Sequence, residues 1–154
     1  MKRELVGSYP MADNDPYDLD RFVRAQAPDY ERALAELRAG EKRSHWMWYI
    51  FPQIEGLGQS PMSVRYSIKS AAEGRAYLDH PTLGPRLREC STVVHSLVDG
   101  SALQIFGSPD DMKLRSCATL FFHVSCETVF ELLLQKYFKG QPDKETLRLL
   151  EYRD

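Results

Sequence analysis

His45, Trp46, Trp48, Tyr49 and Gln53 stand close together in the run Ser44-His45-Trp46-Met47-Trp48-Tyr49-Ile50-Phe51-Pro52-Gln53. An imidazole can move protons near neutral pH. Indole and phenol rings can stack on a planar ligand, and a side-chain amide can orient it. The chemistry this points to is recognition of a small ring-bearing molecule, with His45 as general acid/base or ligand contact. Aromatic side chains also carry large burial energies, so the same run is expected to anchor the core. On a helix Trp46 shares a face with Tyr49 and Ile50, while Trp48 points elsewhere. Only part of the run can therefore line one pocket wall.

A second constellation follows Ser108-Pro109: Asp110-Asp111-Met112-Lys113-Leu114-Arg115. Acids at a helix start can transfer protons, and a cation beside exposed backbone N–H groups can hold an anion. Asp111 is read as the second acid/base or orienting group, and Lys113 or Arg115 as the anion contact. The same acids also explain themselves as partners of the helix dipole. With Tyr66, the expected ligand-binding set is Trp46, Trp48, Tyr49, Gln53, Tyr66, Lys113 and Arg115. The expected catalytic pair is His45 and Asp111.

Other chemistries find little support. The chain has neither GxGxxG nor GxxxxGK[ST], and His80-Pro81-Thr82-Leu83-Gly84-Pro85 reads as a tight connection between helices. There is no HExxH, so no metal site is expected. Ser116 lacks the GxSxG context of an esterase. Cys90, Cys117 and Cys126 form no CxxC pair. They are expected to be three buried thiols in a reducing cytoplasm. No cofactor can be assigned.

The 154 residues suffice for one domain with a sizeable core. Apolar residues make up 43% and charged residues 27%, as in a soluble globular protein. A net charge of −2 argues against a dedicated nucleic-acid binder. Local patches at Lys42-Arg43, Arg65/Lys69 and Arg86/Arg88 keep that reading as the weaker alternative. No apolar run is long enough to span a bilayer. The start Met1-Lys2-Arg3-Glu4-Leu5 lacks the apolar stretch of a secretory signal. Residues 1–15 are expected to be a disordered tail or upstream extension, with Met11 a second plausible start. The domain is then residues 16–154.

The elements that must position these groups are helices. Asp18 is expected to cap a helix through Leu19, Phe22, Val23 and Gln26, ended by Pro28, and Asp29 a second one ended by Gly40. The aromatic run is expected to be a short buried helix from about Ser44 to Phe51, stopped by Pro52. Ser60-Pro61 marks a helix start, and Ser70-Ala71-Ala72-Glu73 matches a capping box. Leu83, Leu87, Cys90, Val94 and Leu97 define a further helix before Gly100, and Ser101 to Phe106 a short turn. Ser108-Pro109 opens the next helix, Ser125 caps another, and Asp143 caps a last short one. No period-two alternation is convincing. The expected fold is all-α: one domain of seven to nine mostly short helices in an irregular orthogonal array.

Several longer motifs add a resemblance. They are His45 to Gln53, Tyr66-Ser67-Ile68, Ala76-Tyr77-Leu78-Asp79-His80-Pro81 with Leu83-Gly84-Pro85-Arg86-Leu87, Phe106-Gly107, Asp110 to Ser116 and Thr119-Leu120-Phe121. Together they resemble the domain-of-unknown-function 1810 family over about residues 16–152. The resemblance implies a mainly helical domain and no established activity. The family often has two serines before its Thr-Leu-Phe run, where this chain has Ser116-Cys117-Ala118. Some members carry the label calpastatin, a disordered inhibitor whose composition this chain does not share.

The functional expectation is a small-molecule binding protein or hydrolase with a pocket near residues 45–53, acting on a nucleotide-like or ADP-ribose-like ligand. The alternative is a non-catalytic interaction module, such as a homodimer.

Overall fold

The structure, a computed structural model, describes residues 14–152. Residues 1–13 of the expected tail lie outside this range. Ten helices appear among the described residues. They are α1 (Asp20–Gln26), α2 (Tyr30–Arg38), α3 (Met47–Ile50), α4 (Pro61–Arg65), α5 (Ala71–Asp79), α6 (Leu83–Ser96), α7 (Ala102–Phe106), α8 (Asp110–Ser125), α9 (Thr128–Phe138) and α10 (Lys144–Tyr152). Extended pairing among them is limited to one isolated parallel bridge, Ile54 with Ile68. The all-α expectation holds, and three of the helices are single turns of four or five residues.

The longest helix, α8, forms the axis. It packs against α9, α5, α7 and α10, so it has no solvent face along its middle. Ser116, Cys117, Ala118, Thr119, Leu120 and Phe121 are all buried in succession. A helix covered on all sides needs small or apolar residues all round, and Cys117-Ala118 supplies the small ones. Ser116 and Thr119 satisfy their hydroxyls within the helix, on the carbonyls of Met112 and Arg115. α6 lies against α9, α5 and α2, and α1 against α3.

The connection from α5 to α6 is as tight as its sequence suggests. The Nδ1 of His80 accepts from the backbone N–H of Thr82 and Leu83, at 3.0 and 3.2 Å, and so caps α6. Gly84 then passes against the end of α5. A Cβ there would lie 2.0 Å from the Leu78 carbonyl oxygen.

Four local expectations are corrected. Ser125 does not cap α9; it ends α8, its hydroxyl donating to the Phe121 carbonyl and accepting from Glu127 N–H, and Glu127 is the residue before α9. Asp18 does not cap α1; it turns the chain at φ 52°, and Asp15 caps instead, accepting from the N–H groups of Leu19 and Asp20. Glu73 does not reach back to Ser70. Ser70 accepts from Glu73 N–H as expected, but the Glu73 carboxylate serves Lys69 N–H and Arg21. Cys126 is exposed, at a left-handed position that ends α8, while Cys90 and Cys117 are buried. Burial pushes the Cys90 thiol up to about 12 and the Cys117 thiol well above its ordinary value. Neither is a nucleophile near neutral pH.

Candidate functional site

The aromatic run is organised by a residue upstream of it. Glu36 on α2 accepts from Arg43 N–H (2.8 Å), Ser44 N–H (2.9 Å), the Ser44 hydroxyl (2.6 Å) and the Trp46 indole (2.9 Å). Burial alone would raise its pKa. The Ser44 hydroxyl, the two backbone N–H groups and the indole outweigh that and hold it at about 2. Ser44 and His45 stand outside the helix and Trp46 sits at its N-cap, with φ −125°. The expected helix from Ser44 to Phe51 therefore shortens to Met47–Ile50.

Trp46 is fully buried. Lys42 Nζ sits 5.0 Å from its ring centroid and pairs with Asp110 at 2.9 Å. The ring is core, and the expected stacking face is covered. Tyr49 is buried too. Its hydroxyl donates to Asp29, and its ring meets that of Tyr66 edge-on at 5.3 Å. Burial, then Asp29, pushes this phenol above its ordinary pKa.

Trp48, Gln53 and Tyr66 do come together. With Glu55, Ser63 and Ser67 they line one recess of about 20 Å³, room for about one water molecule. The start of α8 reaches the same place. Lys113 Nζ lies 5.2 Å from the Trp48 ring centroid and pairs with Asp110 at 3.3 Å. Asp110 thus bridges Lys42 and Lys113, and ties α8 to the aromatic run.

The remaining expected residues lie apart. His45 is exposed, and its carbonyl accepts from the Tyr49 hydroxyl at 3.4 Å. Asp111 has one buried carboxylate oxygen, Oδ1, without a hydrogen-bond partner among the described residues. No hydrogen bond or ion pair joins it to His45. Arg115 turns toward α9 and α10, donating from Nε to the Gln141 carbonyl at 2.9 Å and lying 6.0 Å from the Phe138 ring centroid.

On the outer side of α4 is an open cleft of about 600 Å³. Its rim and walls are Tyr17, Asp18, Gln59, Pro61, Val64, Arg65 and Lys69, so one carboxylate stands among the cations. Its floor is Arg21, a residue the sequence reading passes over. All five guanidinium N–H groups of Arg21 are used. Nε donates to the Arg65 carbonyl, Nη1 to the carbonyls of Tyr17 and Asp18, and Nη2 to the Ser67 carbonyl and the Glu73 carboxylate. Its charge is matched by Glu73 at 2.8 Å, with side-chain exposures of 6% and 2%. Arg21 therefore builds the cleft and does not bind in it. Periodicity gives no hint of this role, because Arg21 lies on the far side of the helix from Leu19, Phe22, Val23 and Gln26.

Of the cations in the nucleic-acid reading, Arg65 and Lys69 keep donors free, with Asp18 as a counter-charge to Arg65. Arg65 uses Nε on the Tyr66 hydroxyl at 3.3 Å. Lys69 Nζ reaches only Ser67 oxygens, both at 3.4 Å. The other cations of the nucleic-acid reading are engaged within the protein. Lys42 is buried on Asp110, Arg43 pairs with Glu41, Arg88 makes a fork on Glu127, and Arg86 covers Tyr30 at 4.7 Å.

A separate hollow of about 350 Å³ lies among α8, α9 and α10, lined by Phe122, His123, Cys126, Leu134, Pro142 and Leu147 among others. Among the described residues no group of three or more His, Cys, Asp or Glu is placed to hold a metal ion. No described helix is long and apolar enough to cross a membrane.

Residues 16–150 match the family model described as protein of unknown function (DUF1810). The fold is similar to the crystal structure of the conserved hypothetical protein Rv1873 from Mycobacterium tuberculosis. Identity to it is 52%, with a TM-score of 0.88, covering 89% of this chain and 99% of that one. None of the curated proteins matches the chain.

Proposed function

This chain belongs to the DUF1810 family of proteins of unknown function, and on that premise we propose that it binds a small anionic, ring-bearing molecule of nucleotide-like or ADP-ribose-like chemistry. The site is the cleft between the start of α1 and α4. The observation that carries the reading is the pair Arg65 and Lys69 on the rim of a cleft of ligand size. Its floor is already neutralised by the Arg21–Glu73 pair. Two cations with uncommitted donors favour a phosphate or carboxylate. The apolar surfaces of Tyr17, Pro61 and Val64 favour a ring beside it.

Binding is supported over hydrolysis. An acid or base must come within hydrogen-bond reach of the reacting group; neither His45 nor Asp111 lines the cleft, and the carboxylate that does, Asp18, acts as a counter-charge to Arg65. The test is thermal denaturation in the presence of AMP, ADP-ribose and NAD. A ligand at 100 times its dissociation constant adds about 2.7 kcal/mol to stability. The Arg65→Ala/Lys69→Ala double variant is expected to fold normally and lose the shift. An intact wild-type protein that shows no shift with any of these ligands contradicts the proposal.

A further inference from the structure

Residues 55–67 form a loop whose two ends meet. Glu55 N–H donates to the Ile68 carbonyl and Ile68 N–H to the Gln53 carbonyl, both at 2.8 Å. The second leg is held again by Arg21, on the carbonyls of Arg65 and Ser67. The loop's ends are fixed, and Leu57 and Tyr66 pack against the core, so what freedom it has lies in the segment between them.

That segment carries α4, and none of the helix's five residues is buried. Val64 is 47% exposed and Met62 37%. Little apolar area holds it down, so opening it costs far less than unfolding the core. The first leg carries Gly56 at φ 110°. It also carries Gly58, whose added Cβ would lie 2.5 Å from the Ser63 Cβ and Oγ.

This loop separates two spaces. Inside it is the recess of about 20 Å³ beside Trp48, Gln53 and Tyr66. Outside it is the cleft with Arg65 and Lys69. Val64 lines both. The outer cleft has the cations but only Tyr17 as an aromatic wall. The recess has two aromatic rings and side-chain hydrogen-bonding groups, yet it is too small for any ring.

We propose that residues 56–64 are a lid, and that lifting them away from the anchored leg Arg65–Ser67 joins recess and cleft into one chamber. The anion of the ligand then sits on Arg65 and Lys69 while its ring enters against Trp48 and Tyr66. This inference rests on the binding reading above and deepens it: the ring, held against Tyr17, Pro61 and Val64 while the lid is down, passes inward to Trp48 and Tyr66 when it lifts.

Acrylamide quenching of tryptophan fluorescence tests it. Trp46 is fully buried and gives the background, which a Trp48→Phe variant measures. In the ligand-free protein, Val64→Ala removes part of the partition from a half-exposed position, so the fold should survive. The expected result is at least a twofold rise in the quenching constant of Trp48, with no faster hydrogen exchange at the α8 amides. Unchanged Trp48 quenching in Val64→Ala overturns the lid, as does a rise that comes only with faster exchange throughout α8. In the wild type, ADP-ribose or AMP is expected to lower Trp48 quenching at least twofold. A probe that raises the melting temperature without lowering the quenching overturns the placement of the ring. If no probe raises the melting temperature, the binding reading fails, and the ligand-free comparison still decides the lid.

Discussion

Two carboxylates decide what the aromatic run and the cleft can do. Glu36 gathers four donors from residues 43–46. Its folded pKa of about 2 lies below the ordinary glutamate value. Its contribution to stability is therefore complete above about pH 4.3 and is lost as the pH falls toward 2. Glu36→Gln is expected to cost about 2 kcal/mol at pH 7, since hydrogen bonds to a charged group are the strong ones, and to flatten the acid limb of the stability profile. Urea titrations of both proteins between pH 2 and 7 check this, and parallel profiles would contradict it. The second carboxylate is Glu73, buried on Arg21. Removing one partner of such a pair leaves an uncompensated buried charge, at a cost of roughly 3–5 kcal/mol. Arg21→Lys should fare little better than Arg21→Ala, because an ammonium cannot reproduce the planar fork that serves four carbonyls and a carboxylate. Near-wild-type stability of Arg21→Lys in denaturant would remove Arg21 as builder of the cleft. Neither carboxylate was legible as a hub. Each works at a distance along the chain, where periodicity and caps carry no signal.

Elements defined by local chemistry were the legible ones. Ser101 and Gln104 form the full capping box of α7. Ser60 caps α4 on Ser63 N–H, with Pro61 in the first turn. Asp143 accepts from Thr146 N–H at the start of α10. Where the reading slipped, a neighbour outside the element had won. Asp15 took the cap from Asp18, and Arg21 took the Glu73 carboxylate from Ser70. Ser108 marks α8 by sequence, yet Pro109 is the residue at its N-terminal boundary. The close approach of α5 and α6 gives a sharp test at this scale. A methyl group at Gly84 would collide with the Leu78 carbonyl, and backbone cannot swing aside as a side chain can. Gly84→Ala is expected to destabilise by about 3 kcal/mol or more. A melting temperature within 2 °C of wild type, about the shift that 0.5 kcal/mol produces, would show that the two helices part easily.

At the scale of the whole molecule, the all-α class followed from helical periodicity and frequent Gly and Pro breaks, and the packing around α8 bears it out. The site was legible only in part. Trp48, Gln53 and Tyr66 converge, and Lys113 joins them. Trp46 and Tyr49 turned inward as core, while His45 and Arg115 face other surroundings. The cleft stayed hidden because its floor is one arginine binding the carbonyls of residues 17, 18, 65 and 67. Those groups meet only once α1 and the loop before α5 are folded together. The most direct measurement of the central claim is a two-dimensional NMR titration of the 15N-labelled protein with ADP-ribose and AMP. Binding at the cleft should move the amide signals of Tyr17, Gln59, Ser60 and residues 62–69, together with the Trp48 indole, and leave α9 and α10 in place. No movement at millimolar ligand, or movement centred on Cys126 and Leu147, would contradict it.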